Sequence, residues 1–279
     1  MHKTTLILLL ISTNITFADN VTREEYDPKP MVEGNRRVDE IMEWHKNHPG
    51  EMPPLTEQEK EHFFIKQGVP LPGSGATIAN NTQEFGATKE QRSVIARFNS
   101  AQKSQGYYET NNKRAQFLFS MPEMAEKEYN ERKGIAFNAH DTHLYESKNN
   151  LAMSYAYKGV PANLAKKIIG FSPESNFVSG KWNGAVEFFT PLFDSACAYH
   201  EVNIQLTQSS AFIPKEIVTY AVNNKLTKMN VIGSKESGFV YEVEWWDKTY
   251  KRNLECASKI YTVAMRGQVI ELAKQIDKA

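Results

Sequence analysis

The chain reads as an α+β protein, with an irregular helical N-terminal half followed by an antiparallel β-sheet and a packed C-terminal helix. Three observations predict this. Before Gly170, apolar residues recur at helical spacing between capping residues and Gly or Pro stops. After it they alternate with period two in runs rich in β-branched and aromatic residues. The last stripe, Val269, Leu272, Ala273 and Ile276, is helical again. No fixed period or repeated motif recurs, so a solenoid of identical units is not expected.

Residues 1–18 read as a signal peptide. Lys3 supplies a positive start, residues 6–11 an unbroken apolar run, and Thr16, Phe17 and Ala18 a cleavage site with small residues at its last and third-last positions. The apolar run is far shorter than the roughly 20 residues that span a bilayer, which argues against a retained anchor. Cleavage after Ala18 leaves about 261 residues with a net charge of −1. Residues 19–35 are polar, charged and broken by Pro28, Pro30 and Gly34, the pattern of an extended arm.

Residues 36–170 are the expected helical domain. Val38, Ile41, Met42 and His45 fall on one helical face, and that helix must stop before Pro49 and Gly50. Thr56 with Glu59, Thr88 with Gln91 and Ser120 with Glu123 read as capping boxes of three further helices that end near Gly68, Gly106 and Gly134. Shorter helices are expected over 148–157 and 162–169.

Residues 171–279 are the expected sheet-plus-helix domain. Strands are predicted over 184–190 and 197–206, and a three-stranded meander over 228–232, 239–247 and 252–258, with one helix inserted over 214–223. The closing helix should lay its apolar stripe on one face of this sheet.

Composition sets the compartment and excludes several classes. Lys plus Arg total 33 and Asp plus Glu total 33, so no whole-chain field gathers nucleic acid or an anionic membrane, and the basic residues are not striped with aromatics. Cys197 and Cys256 are the only cysteines, and in an exported chain such a pair is expected as a disulfide. Strand phase resists it. Cys256 shares the phase of Leu254 on the core side, whereas Cys197 shares that of Glu201 and Gln205 on the wet side, so the bond requires Cys197 at a frayed strand start or a bulge.

Candidate chemistry is sparse. His140, Asp141 and His143 form the densest polar cluster, and one helical turn would bring both imidazoles to one side as metal ligands, with Glu146 nearby to complete the set. The competing reading makes Asp141 or Thr142 the cap of a helix starting at His143. His45 fits a partly buried core position, and His48 before Pro49 fits a helix-end cation. His200 shares a face with Val202 and Ile204 and therefore needs a buried partner or a cavity. Glu242 and Glu244 stand about 7 Å apart on one strand face, near the carboxylate spacing of inverting glycosidases. Neighbours on one strand point in parallel, however, so solvated charges are the expected role. Tyr241, Trp245 and Trp246 offer a candidate binding surface, with one tryptophan in the core and Trp246 exposed beside the two glutamates.

No phosphate-binding loop, dinucleotide fingerprint, HExxH helix or GxSxG elbow is present, and Ser74 lies in a linker-like Pro-Gly-Ser-Gly run. The functional expectation is an exported protein, periplasmic or extracellular, that binds a protein or carbohydrate ligand without catalysis. The alternative is a secreted metal-assisted hydrolase using His140, Asp141 and His143. No nucleic-acid partner and no membrane insertion after signal cleavage are expected, and the residues point to no cofactor.

Overall fold

The structure, a computed structural model, describes residues 40, 43, 44, 46–48, 75–79, 89–136, 138–207 and 209–279. The expected signal peptide, the arm, the helix opening at Thr56, the Thr88 cap and Ser74 lie outside them. Glu40, Glu43, Trp44, Lys46 and Asn47 are helical. The His48 ring stacks on Trp44 with centroids 3.9 Å apart.

An eight-stranded mixed sheet is the core of an α+β fold. Its strands are β2 (Tyr108–Glu109), β3 (Ala165–Val178), β4 (Lys181–Pro191), β5 (Ala196–Asn203), β7 (Thr219–Val222), β8 (Lys225–Ser234), β9 (Gly238–Trp246) and β10 (Tyr250–Ser258). The main path runs β2-β8-β9-β10-β5-β4-β3, with β7 also pairing to β8. Neighbours are antiparallel except β2, which runs parallel to β8. A separate parallel pair joins β1 (Gly75–Ala79) to β6 (Ser210–Pro214). The predicted β8-β9-β10 meander is thus the middle of a larger sheet.

The helices described from end to end are α1 (Lys89–Ser104), α2 (Arg114–Glu131) and α3 (Val263–Lys278). The α3 stripe Val269, Leu272, Ala273 and Ile276 packs with Tyr199, Tyr241, Val243, Trp245 and Leu254 on one sheet face. Thr262 caps that helix by accepting the Met265 N–H at 3.1 Å. On the opposite face Ala115, Leu118 and Met121 of α2 meet Val186, Phe188, Ala198, Val240 and Ala257. Helices on both faces explain why every residue of β9 is buried. Among the described residues no helix is long and apolar enough to cross a membrane.

Several local expectations change. α2 begins at Arg114, six residues before the expected cap, and the Ser120 hydroxyl donates back to the Phe117 carbonyl at 2.9 Å. Pro122, which suits a first helical turn, sits in the helix interior instead. Residues 162–169 yield one 3-10 turn, Ala162–Leu164, and then strand β3, because Ile168 and the residues beyond it pair with β4. Residues 214–223 hold the 3-10 turn Lys215–Ile217 and strand β7 rather than a helix. Near the end of β8, Gly233 takes φ +145°, and a Cβ there would lie 2.0 Å from the Gly238 carbonyl oxygen, so only glycine fits.

Cys197 and Cys256 face each other in register across β5 and β10, with S–S 2.01 Å. The repair by fraying or a bulge is unnecessary. Both sulfurs lie on the α3 face, and the polar residue that made this phase look wet, Glu201, is itself buried against Arg252 and Tyr199.

Candidate functional site

Most charged side chains of the sheet are paired with one another, while His200 Nε2, Trp246 Nε1 and Asn253 Oδ1 are buried without a hydrogen-bond partner among the described residues. Glu242 and Glu244 are 5% and 7% exposed, not solvated as expected. Lys228, cross-strand to Glu244, places its ammonium 3.1 Å from Glu244 and 3.6 Å from Glu242, and Lys251 lies 2.7 Å from Glu244. Against burial, the two lysines hold the Glu244 carboxyl down at about 2, while burial holds that of Glu242 above its ordinary value. Two parallel acids bridged by one cation are a paired network without a gap for a sugar between them.

His200 finds the buried partner its phase demanded. Its Nδ1 lies 2.8 Å from Glu174, and its Nε2 is 3.9 Å from Glu255, which Arg114 contacts at 2.5 Å. Against burial, the two glutamates keep the imidazole more basic than usual. The candidate binding surface does not assemble as an exposed face. Tyr241 and Trp245 are fully buried under α3, and Trp246 is 5% exposed on the other side of β9. The alternation that separated the two tryptophans is correct, but both sheet faces are covered, so alternation did not report exposure.

The three metal candidates are held by three different partners. The His140 ring packs edge-on against Phe177 at 4.7 Å, Asp141 accepts from Arg132 at 3.0 Å, and His143 Nδ1 lies 3.1 Å from Glu128. Residues 141–144 form no helix, so neither the capping reading nor the single turn that would align the imidazoles is realised. Among the described residues no three His, Cys, Asp or Glu side chains are grouped to hold a metal ion.

A cleft of about 640 Å³ lies between the C-terminal part of α2 and the segment that follows it. Tyr129, Arg132 and Ile135 form one wall; Leu144, Tyr145, Glu146, Asn149, Asn150, Leu151 and Ala152 form the other. That second wall is anchored to the sheet edge. Tyr145 and Phe171 exchange backbone hydrogen bonds of 2.7 and 2.9 Å, and the Glu128 carboxylate accepts the Leu144 N–H at 3.1 Å. Tyr129 pins the first wall by donating to the Ile169 carbonyl at 2.8 Å. Its hydroxyl is pushed up to about 12, first by burial and then by the negative charges of Glu146 and Glu128. The volume lies within the roughly 300–1,000 Å³ usual for small-ligand sites.

The sequence marks Glu146 only as a supplement to a metal set, and Tyr129 falls in the expected helix ending near Gly134 with no role of its own. Arg132, Asn149 and Asn150 carry no motif at all, and they converge because α2 and the 3-10 turn Lys148–Asn150 are brought together at the β3 edge. No protein-family model matches the chain, and no curated protein or solved structure matches it.

Proposed function

We propose that this chain is an exported, non-catalytic binding protein whose ligand docks in the cleft between α2 and residues 144–152. The observation that carries the reading is the lining of the cleft: hydrogen-bonding and apolar side chains, with no histidine, cysteine, serine or lysine among them. Such a wall can orient a ligand, whereas the cysteines and two of the histidines are committed elsewhere: Cys197 and Cys256 to each other, His143 to Glu128, His200 to Glu174. Export is supported by the N-terminal 18 residues and by a disulfide suited to an oxidising compartment.

The test is retention. Full-length oxidised protein is incubated with a mixed small-molecule and peptide extract, filtered and read by mass spectrometry beside Ala152→Trp, which fills the cleft. A compound kept by the wild type and released by the variant is expected. Equal retention by the two, or none, overturns the proposal.

A further inference from the structure

The lining of the cleft is dipolar. Arg132 brings a guanidinium that shares its charge with Asp141 through one nitrogen, Nη2, at 3.0 Å. Glu146, in the same lining, is exposed and has no hydrogen bond or ion pair among the described residues. The side-chain amides of Asn149 and Asn150 are likewise unengaged there, each offering two donors and an acceptor. Ile135, 60% exposed, Leu144 and Leu151 add apolar surface.

Each simple ligand class leaves part of this wall unmatched. An anion would be drawn by Arg132 and repelled by Glu146, and a cation would meet the reverse. A neutral sugar would leave Glu146 without a counter-charge and the rest of the Arg132 guanidinium, beyond its bond to Asp141, without an anionic partner. A molecule with a carboxylate at one end and an ammonium at the other satisfies both by charge-assisted hydrogen bonds, and peptide groups between its ends match the two carboxamides. The cleft is larger than a single amino acid needs.

We infer that the cleft takes a short peptide with free termini and an apolar side chain, its carboxylate on Arg132, its ammonium on Glu146 and its amide groups on Asn149 and Asn150. The inference rests on the cleft being the binding site and names the ligand class for it.

Calorimetry on the full-length oxidised protein tests it with the tripeptide Ala-Leu-Ala in three forms: free at both ends, N-acetylated and C-amidated. Free leucine and methyl β-glucoside are the comparison ligands. The free tripeptide should bind tightest, and each cap should weaken it about tenfold, the worth of one charge-assisted contact. Glu146→Gln should erase the cost of the acetyl cap and keep that of the amide, and Arg132→Gln should do the converse. Glu146 makes no hydrogen bond or ion pair among the described residues, so its variant keeps the test decisive even if loss of the Arg132–Asp141 pair unfolds the other. Caps without effect, leucine or the glucoside binding as tightly as the tripeptide, or no tripeptide binding each overturn the peptide assignment. If a compound is still retained in a manner sensitive to Ala152→Trp, the binding role survives that failure; if none is, both fall.

Discussion

The carboxylate of Glu187 accepts the backbone N–H of Val160 at 2.8 Å from a position only 1% exposed, where the segment 157–160 crosses the sheet. Tyr157, whose hydroxyl lies 3.5 Å away, and Gly159 close the site. Burial is the main cause of a carboxyl pushed up to about 7 from an ordinary 4.5, with the Val160 bond, Lys148 and Tyr157 opposing it.

A raised carboxyl contributes stability that is fully present below its unfolded value and is lost as pH climbs through the folded one. Relative to Glu187→Gln, the wild type should therefore lose about 3 kcal/mol between pH 4.5 and pH 8. Urea unfolding of both proteins across that range measures it, and parallel stability curves would show that Glu187 is not the group responsible.

Gly159 has φ +71°, and a Cβ on it would lie 2.3 Å from the Glu187 carboxylate oxygen. Gly159→Ala should cost about 1–3 kcal/mol through backbone strain and displacement of that carboxylate. Combining it with Glu187→Ala should recover the steric part; purely additive losses in denaturant melts would locate the strain elsewhere.

The disulfide closes 59 residues of chain between two central strands. Replacing both cysteines by serine should lower stability by roughly 4 kcal/mol in the chain-entropy view. Thermal melts with and without reductant should show the wild type falling to the level of the double variant, which reductant leaves unchanged.

Lys228 is 4% exposed between Glu242 and Glu244. Lys228→Met leaves Glu242 without a counter-charge and Glu244 with Lys251 alone, and should destabilise by about 3–5 kcal/mol at neutral pH. The loss should shrink on acidification, because protonating the acids removes the uncompensated charge. Adding Glu242→Leu and Glu244→Leu should restore most of the stability; a triple variant as weak as the single one would refute a charge-based cause.

Much of the fold was legible because local pattern and tertiary outcome agree. The α3 stripe, the β8-β9-β10 meander and strands β4 and β5 all arise where period 2 or period 3.6 is clear in the apolar residues. The start of β3 falls within residues 162–169, where a helix is expected, and it becomes strand because β4 is there to pair with Ile168. Ser120 looked like a cap because Ser with Glu three residues on is a start signal, but the helix had already begun where Ala115 and Leu118 could bury against the sheet.

The candidate site was less legible still. Arg132, Glu146, Asn149 and Asn150 belong to no motif, and their meeting depends on where α2 ends relative to the edge of β3, a relationship between segments that no local spacing encodes.

The sequence by itself determined the α+β class, the cysteine pair and the alternation of Trp245 and Trp246 to opposite sides of one strand, because each follows from backbone periodicity and side-chain chemistry along the chain. Only the tertiary structure decided that both of those sides are buried, that Glu242 and Glu244 are ion-paired rather than solvated, and that His140, Asp141 and His143 part company. Burial and pairing are set by what packs across from a residue, and that partner lies beyond any local period of the chain, 9 residues away for Asp141 and Arg132 and 16 for Glu244 and Lys228.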